Sequence, residues 1–589
     1  MSSEKSGGNM QYSYRHLFTL ALFLLVLSGA VWAAPTCAQL GTDPVYGLVD
    51  NKVITTVKSH LVAATGTVPG HCRVDIVYSG KAGPKDGYAP GEAEAIKIAV
   101  WLPLNSADGG SGATQGSWNG KVVNVGGGGC AGNISENSPR LLNRLKEGYV
   151  ATNTDTGWKG CDDGIIQATH HLDLGKLNDF IYDGVHEQSV WGQTIAKSYY
   201  SAGVSRNYWV GCSTGGRQGL ALAQKWGDEF DGILVGSPAI YWQEFRLADA
   251  WPQLVNRDKL IAKGKGLTAG QFVAANNGAV AACDALDGVK DGIVSDSRMC
   301  TWSATHNICG KPGAPEAPDC LDADQAAAID MMWDGPRNHA GTRIWYPVDR
   351  GIPMIFPHSL AQNASQFGVG DLPTSTAQVM QFNHRDLTFN VNNLFLDRVA
   401  LAAAGNPTNG IVYEDEAALG SANTEDYMGT MDANLDKLKA HSKMILWHGT
   451  GDPLIRWQGT MDYYRRVAEN YGGYRQLQPW FRFFLSPGSA HCQDGDAGSP
   501  IGIVADDPTL FNALVNWVEH DKPPNEIPAK QTVDRTVVRT RPMCPYPTTA
   551  VYNGSGDQND GANFHCGGNL ETKEAIEAGK RTKYKSENK

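Results

Sequence analysis

From about residue 90 the chain carries short apolar runs of two different periods, one after another. "AIKIAVWLPL" (95–104) alternates apolar with other residues, as a half-buried strand does. "KVVNV" (121–125) is a second strand candidate closing in four glycines, and "GYVATNTDTG" (148–157) holds a third. "HEQSVWGQTIAKSYY" (186–200) reads as a helix, "YWVGC" (208–212) as a strand, "TGGRQGLALAQKWG" (214–227) as a helix and "FDGILVGSPA" (230–239) as a strand. Strand and helix in turn predict an α/β fold built on a sheet with helical crossovers. Between about 240 and 440 the pattern gives way to short helical pieces, turns and Trp- and Pro-containing loops, which read as an inserted domain. Strand-like runs return in "KMILWHGTGDPLI" (443–455) and "WFRFFLSPGSAHC" (480–492), so the sheet is expected to resume there and to end near 520.

The expected organisation is a leader over 1–34, a first catalytic part over 35–239 and an inserted lid over 240–440. A second catalytic part with a C-terminal cysteine segment follows over 441–567, then a charged, solvated tail over 568–589. The leader assignment rests on Arg15 and His16 ahead of the apolar run "LFTLALFLLVLSGAVW", then Ala33 and Ala34 before Pro35. It implies a secreted or periplasmic protein with no stable membrane association once the leader is cleaved.

With 589 residues, 42% of them hydrophobic, the chain can bury a large core. A net charge of −11 argues against nucleic acid as a partner, because no basic surplus is available for phosphates. Twelve cysteines in an exported chain suggest disulfides. Cys283 with Cys300, and Cys309 with Cys320, are close enough in sequence to close short loops. The sequons at Asn133, Asn363 and Asn553 matter only in a eukaryotic host.

Candidate chemistry centres on "GCSTGG", where Ser213 lies between a predicted strand and a predicted helix with Gly211 and Gly215 around it. This is the pattern of a nucleophile elbow, a turn that exposes a serine hydroxyl. Such a serine needs a base and an acid that orients the base, expected downstream in the order acid, then histidine. Asp452 and His491 both follow predicted strands in that order. Cys212 precedes the serine and Cys492 follows the histidine. A bond between the two would hold nucleophile and base as neighbours, unless each pairs elsewhere. For the oxyanion, the N–H of Thr214 and the glycine run 126–129, with Gly128 and Gly129 foremost, are the candidate donors. A phosphate-cradling role for the glycines lacks the Lys-Ser/Thr that a P-loop needs.

Within the insertion, "CDALDGVKDGIVSDSRMC" spaces Asp284, Asp287 and Asp291 around Gly288 and Gly292. With the carbonyls of Val289 and Ile293 these oxygens suit Ca2+, although an acidic solvated turn would have the same pattern.

The segments "GCSTGGRQGL", "HGTGDPLI" and "PGSAHC" resemble the signatures of the tannase and feruloyl esterase family of α/β-hydrolases, and the resemblance runs over about 36–520. It implies an α/β-hydrolase sheet with a large inserted lid. It implies Ser213 as nucleophile, Asp452 as acid, His491 as base and a Cys212–Cys492 disulfide, with structural Ca2+ at Asp284, Asp287, Val289, Asp291 and Ile293. The implied activity is hydrolysis of phenolic-acid esters, feruloyl or galloyl. The family's terephthalate-monoester branch fits less well, since its members carry an acidic residue where this chain has Thr214. A general carboxylesterase or a catalytically silent binder of phenolics or polysaccharide are the other readings. Trp242, Phe245, Trp333 and Phe382 are aromatic candidates for an acyl pocket, each equally suited to a core.

Overall fold

A computed structural model describes residues 34–79, 95–113, 115–129, 131–157, 178–241, 263–336, 345–352, 430–494 and 502–572, with isolated positions between 245 and 260. Residues 1–33 of the leader, Cys130, Cys161, Trp242, Phe382, Asn363 and the insertion from 353 to 429 lie outside them.

Among the described residues nine strands form one sheet: β1 (Ile54–Val62), β2 (His71–Ser79), β3 (Ala95–Pro103), β4 (Lys121–Val125), β5 (Val150–Thr154), β6 (Arg206–Cys212), β7 (Gly232–Gly236), β8 (Lys443–Gly449) and β9 (Phe481–Ser486). Their order is β1-β2-β3-β5-β4-β6-β7-β8-β9. Pairings from β1 to β5 across that order are antiparallel, and those from β5 through β4 to β9 are parallel. The chain leaves β4 to build β5 on one side and then β6 on the other, so the switch point lies at β4, where the carboxyl ends of such sheets leave a crevice.

Residue alternation along the central strands divides the core. Trp209, Ile233, Val235, Met444, Leu446, Phe481 and Phe483 pack on one face with α3 (Thr214–Trp226) and α6 (Trp457–Asn470). Tyr208, Val210, Leu234, Ile445, Trp447 and Phe484 pack on the other with α1 (Pro139–Lys146) and α7 (Asp507–His520). These parallel strands read as continuous apolar runs because both faces are covered. α2 (Gly184–Tyr200) covers the sheet toward the antiparallel end, where Ile195, Ala196, Tyr199 and Tyr200 join the core of β2 and β3.

The insertion between β7 and β8 has a core of its own around α4 (Ala269–Cys283) and α5 (Ala323–Asp334), with Phe272, Leu321, Ile329, Met332 and Trp333 buried together. Cys283–Cys300 and Cys309–Cys320 staple its loops. Cys37–Cys72 ties the first described helix to β2, and Cys544–Cys566 ties the C-terminal hairpins, β10 (Ile527–Val533) with β11 (Thr536–Met543) and β12 (Thr549–Tyr552) with β13 (Phe564–Gly567).

Three features depart from the sequence expectation. The sheet starts before residue 90, at β1 and β2. Strands continue past 520 as two separate hairpins. The start of the tail is docked rather than solvated: the Leu570 carbonyl accepts from Arg298 Nη2 at 2.9 Å, and Glu571 Oε1 accepts from Arg465, Tyr474 and Tyr546. Burial alone would raise the Glu571 carboxyl, but the Tyr546 hydroxyl and Arg465 hold it below the usual range.

Candidate active site

Ser213 occupies the one residue between β6 and α3 with φ 64° and ψ −125°, a backbone conformation rare for a residue with a side chain. The turn is held from three directions. Ser213 N–H donates to the Gly236 carbonyl at 3.0 Å, and its own carbonyl accepts from Arg217 and Ala239. A Cβ at Gly211 would lie 2.4 Å from the Gly215 carbonyl oxygen, so strand and helix approach closely only because Gly211 has none, and a Cβ at Gly215 would meet the Gly127 carbonyl oxygen at 3.0 Å, so that glycine lets the Gly126–Gly127 loop come in.

Asp452 lies in the loop after β8 and is fully buried. Its Oδ1 accepts the backbone N–H groups of Leu454 at 2.8 Å and Ile455 at 2.9 Å, an Asx-type turn that fixes the carboxylate. Its Oδ2 accepts from His491 Nδ1 at 2.7 Å. Burial would raise this carboxyl, but the charge of His491 and hydrogen bonds from His448 and His491 hold it far below the usual carboxylate range. The ionised form is therefore the one its surroundings favour.

His491 follows β9 and is partly exposed, its side chain 15% accessible. The loops carrying Asp452 and His491 are laced together: Gly488 N–H donates to Thr450 Oγ1 at 2.8 Å and Gly451 N–H to the Ser489 carbonyl at 3.0 Å. Cys492, in the left-handed region at φ 54°, bonds Cys212 across a Cα–Cα distance of 6.0 Å. Ser213 and His491 are thus the chain neighbours of a bonded pair of cysteines, drawn to one spot from positions 278 residues apart in sequence (491 − 213).

The glycine run after β4 divides by use. Gly126 N–H continues the sheet by donating to the Val210 carbonyl, and Gly127 N–H donates to Gln218 Oε1 at 3.0 Å. The N–H groups of Gly128 and Gly129 have no protein acceptor among the described residues. Thr214, the first residue of α3, donates its hydroxyl to the Gly129 carbonyl. The helix after the serine therefore grips the glycine loop at both ends, bringing Thr214, Gly128 and Gly129 to the same rim as Ser213.

One neighbour of Asp452 escapes the sequence pattern. His448, on β8 and fully buried, lies 3.2 Å from Asp452 Oδ2 through Nε2. A histidine inside a strand reads as core, and only its presence in "HGTGD" hints at more.

The acidic loop lies in the insertion. Asp284 Oδ1 accepts the N–H groups of Asp291, Gly292 and Ile293, and Asp287 Oδ1 accepts that of Val289. Asp291 Oδ2 pairs with Arg541 at 2.7 Å. Burial pushes the Asp287 carboxyl up, and the charges of Asp291 and Asp284 add to the push. Asp284, Asp287 and Asp291 offer only oxygen donors, the kind a hard cation takes, but Asp284 Oδ1 is turned to backbone N–H groups and Asp291 Oδ2 to Arg541. Among the described residues no three His, Cys, Asp or Glu side chains are gathered closely enough to hold a metal by themselves. The carbonyls of Val289 and Ile293 would have to complete the set. Phe245 and Trp333, offered by sequence as pocket aromatics, are core residues here at 4% and 1% exposure.

The family model described as "Tannase and feruloyl esterase" matches residues 93–567. A "Probable feruloyl esterase" of Arthroderma benhamiae is 30% identical over 499 residues, covering 81% of this chain and 83% of the relative. A "Mono(2-hydroxyethyl) terephthalate hydrolase" of Piscinibacter sakaiensis is 28% identical, covering 86% of both chains. The crystal structure of an esterase from Aspergillus oryzae superposes with a TM-score of 0.69 at 23% identity, covering 90% of this chain and 100% of that one, and so shares the fold.

Proposed function

The chain belongs to the tannase and feruloyl esterase family, and on that premise we propose that it is an exported serine esterase that hydrolyses esters of phenolic acids. The observation that carries the reading is the continuous linkage Asp452···His491–Cys492–Cys212–Ser213, one hydrogen bond of 2.7 Å followed by covalent connection.

In this mechanism His491 Nε2 takes the Ser213 proton as Oγ attacks the ester carbonyl, while the buried Asp452 anion holds the imidazole by Nδ1 and stabilises its cation. The tetrahedral oxyanion accepts N–H bonds from Thr214 and from Gly128 or Gly129, each worth roughly 3 kcal/mol of transition-state stabilisation. Collapse passes the His491 proton to the leaving alcohol and leaves an acyl group on Ser213. Water, deprotonated by His491, then attacks the acyl carbon and frees the phenolic acid.

The acidic loop would hold a structural Ca2+ through Asp284, Asp287, Asp291 and the carbonyls of Val289 and Ile293, far along the chain from Ser213 and with no part in the reaction. The apolar leader and the disulfides support export.

Initial rates on methyl ferulate, methyl gallate and mono(2-hydroxyethyl) terephthalate, each against Ser213→Ala, test the reading. Turnover of a phenolic ester with an inert variant is the expected result. Turnover of the terephthalate monoester alone moves the substrate class. Silence on all three, with the variant indistinguishable from the parent on p-nitrophenyl acetate, removes the enzyme reading.

A further inference from the structure

His448 presents its ring to three oxygens. Nδ1 lies 2.9 Å from Thr460 Oγ1 on α6; Nε2 lies 3.0 Å from the Ile455 carbonyl and 3.2 Å from Asp452 Oδ2. Nε2 faces two groups that can only accept, a carbonyl and an ionised carboxylate, so Nε2 carries the proton. The Thr460 hydroxyl, itself buried, can then donate to Nδ1 and lock that tautomer.

Asp452 consequently receives three N–H donors, Leu454 and Ile455 on Oδ1 and His491 on Oδ2, and Oδ2 also lies 3.2 Å from His448 Nε2, whose one proton is shared with the nearer Ile455 carbonyl. Among the described residues no lysine or arginine pairs with Asp452. Arg456, on the same loop, turns its guanidinium to the carbonyls of Pro453 and Ala248. The titratable groups on this carboxylate are therefore two imidazoles, His491 from the loop after β9 and His448 from β8. Only the first lies beside the serine. The second sits behind the acid, anchored to the strand and to α6.

The geometry points to His448 as a positioning residue for the hydrolytic reaction. Through Nε2–H, shared between the Ile455 carbonyl and Asp452 Oδ2, it holds the Asp452 turn in line with His491 and draws off part of the carboxylate charge that His491 feels. This inference rests on the serine esterase reading above and refines it. Without that donor the carboxylate loses a restraint on its orientation, and the charge left on Oδ2 favours the protonated form of His491 more strongly.

The test uses three variants of the full-length protein. In His448→Gln the side-chain amide nitrogen reaches the place of Nε2; in His448→Asn it reaches only the place of Nδ1; in Thr460→Val the histidine stays but loses the group that sets its tautomer. On the phenolic ester the parent cleaves best, His448→Asn is expected to lose on the order of 10- to 100-fold in kcat with KM within about twofold. His448→Gln recovers most of that loss. The acid limb of the kcat/KM profile moves to higher pH in His448→Asn and returns in His448→Gln. Thr460→Val shows a smaller loss with the same direction of pH shift. The inference is overturned if Gln and Asn variants behave alike, if the acid limb stays where it was, or if Thr460→Val, should the His448 variants not fold, matches the parent in rate and profile. A parent inert on every ester, like Ser213→Ala, brings down the esterase reading and this inference with it. An active parent with an unaffected His448→Asn brings down this inference alone.

Discussion

At the scale of single residues, two buried carboxylates show opposite solutions to the same cost of desolvation. Asp452 collects three N–H donors with His448 beside them, and its carboxyl is held well below the usual range. Asp349 accepts from Ser297, from the Trp457 indole at 2.8 Å and from Gln458 at 2.6 Å, yet burial pushes its carboxyl up to about 6. A raised folded-state value means that the folded protein holds this proton more tightly than the unfolded chain. Its contribution to stability is full below the unfolded value of about 4 and is lost as pH rises through about 6. Calorimetric melting between pH 4.5 and 7.5 should therefore show a fall in Tm across pH 5–6.5 that Asp349→Asn flattens. A wild-type and variant pair with parallel profiles would assign the trend to other groups. The turns that carry Ser213, Asp452 and His491, and the pairing of the last two, were legible in the sequence because glycines and prolines announce each turn. Asp349 and His448 were not, since their meaning comes from partners on α6 and in the insertion that no local pattern connects to them.

Among elements, the central parallel strands were legible because burial on both faces leaves them uniformly apolar, as in "KMILW" and "FDGILV". β1 was missed for the converse reason: at the sheet edge only Ile54 of its nine residues is buried, and its Thr, Lys and Ser positions read as loop. The Cys212–Cys492 bond joins two elements, the end of β6 and the loop after β9, across 280 residues of sequence. A loop of that length constrains the unfolded chain by roughly 5 kcal/mol in the chain-entropy account. Cys212→Ser is expected to lower both Tm and kcat, and a variant that melts lower yet turns over at the parent rate would show that lacing between the loops suffices for geometry. The acidic loop of the insertion gives an independent expectation: EDTA lowers Tm and added Ca2+ restores it, through preferential binding to the folded state. Melting indifferent to both would leave Arg539 and Arg541 as the counter-charges for Asp291 among the described residues.

For the whole molecule, the large insertion between β7 and β8 was legible as a break in strand and helix traffic, while the way the chain closes on itself was not. Charged residues near a terminus carry no signal of their partners, so Glu571 looked solvated. In the structure its carboxylate gathers Arg465 of α6, Tyr474 and Tyr546, and the adjacent Leu570 carbonyl holds Arg298 of the insertion. One short segment thus ties the insertion, α6 and the C-terminal hairpins together. Truncation after Gly567 should lower Tm by several degrees, as should Glu571→Ala to a lesser extent, whereas a freely solvated tail would leave melting unchanged. The bond that couples Cys212 to Cys492 also has a meaning in time and place. During synthesis the serine turn is complete long before the histidine loop exists, and after synthesis the two are clamped only where thiols can be oxidised. A chain of this design is made with Ser213 and His491 unlinked, and the bond beside them is closed only by an oxidising compartment.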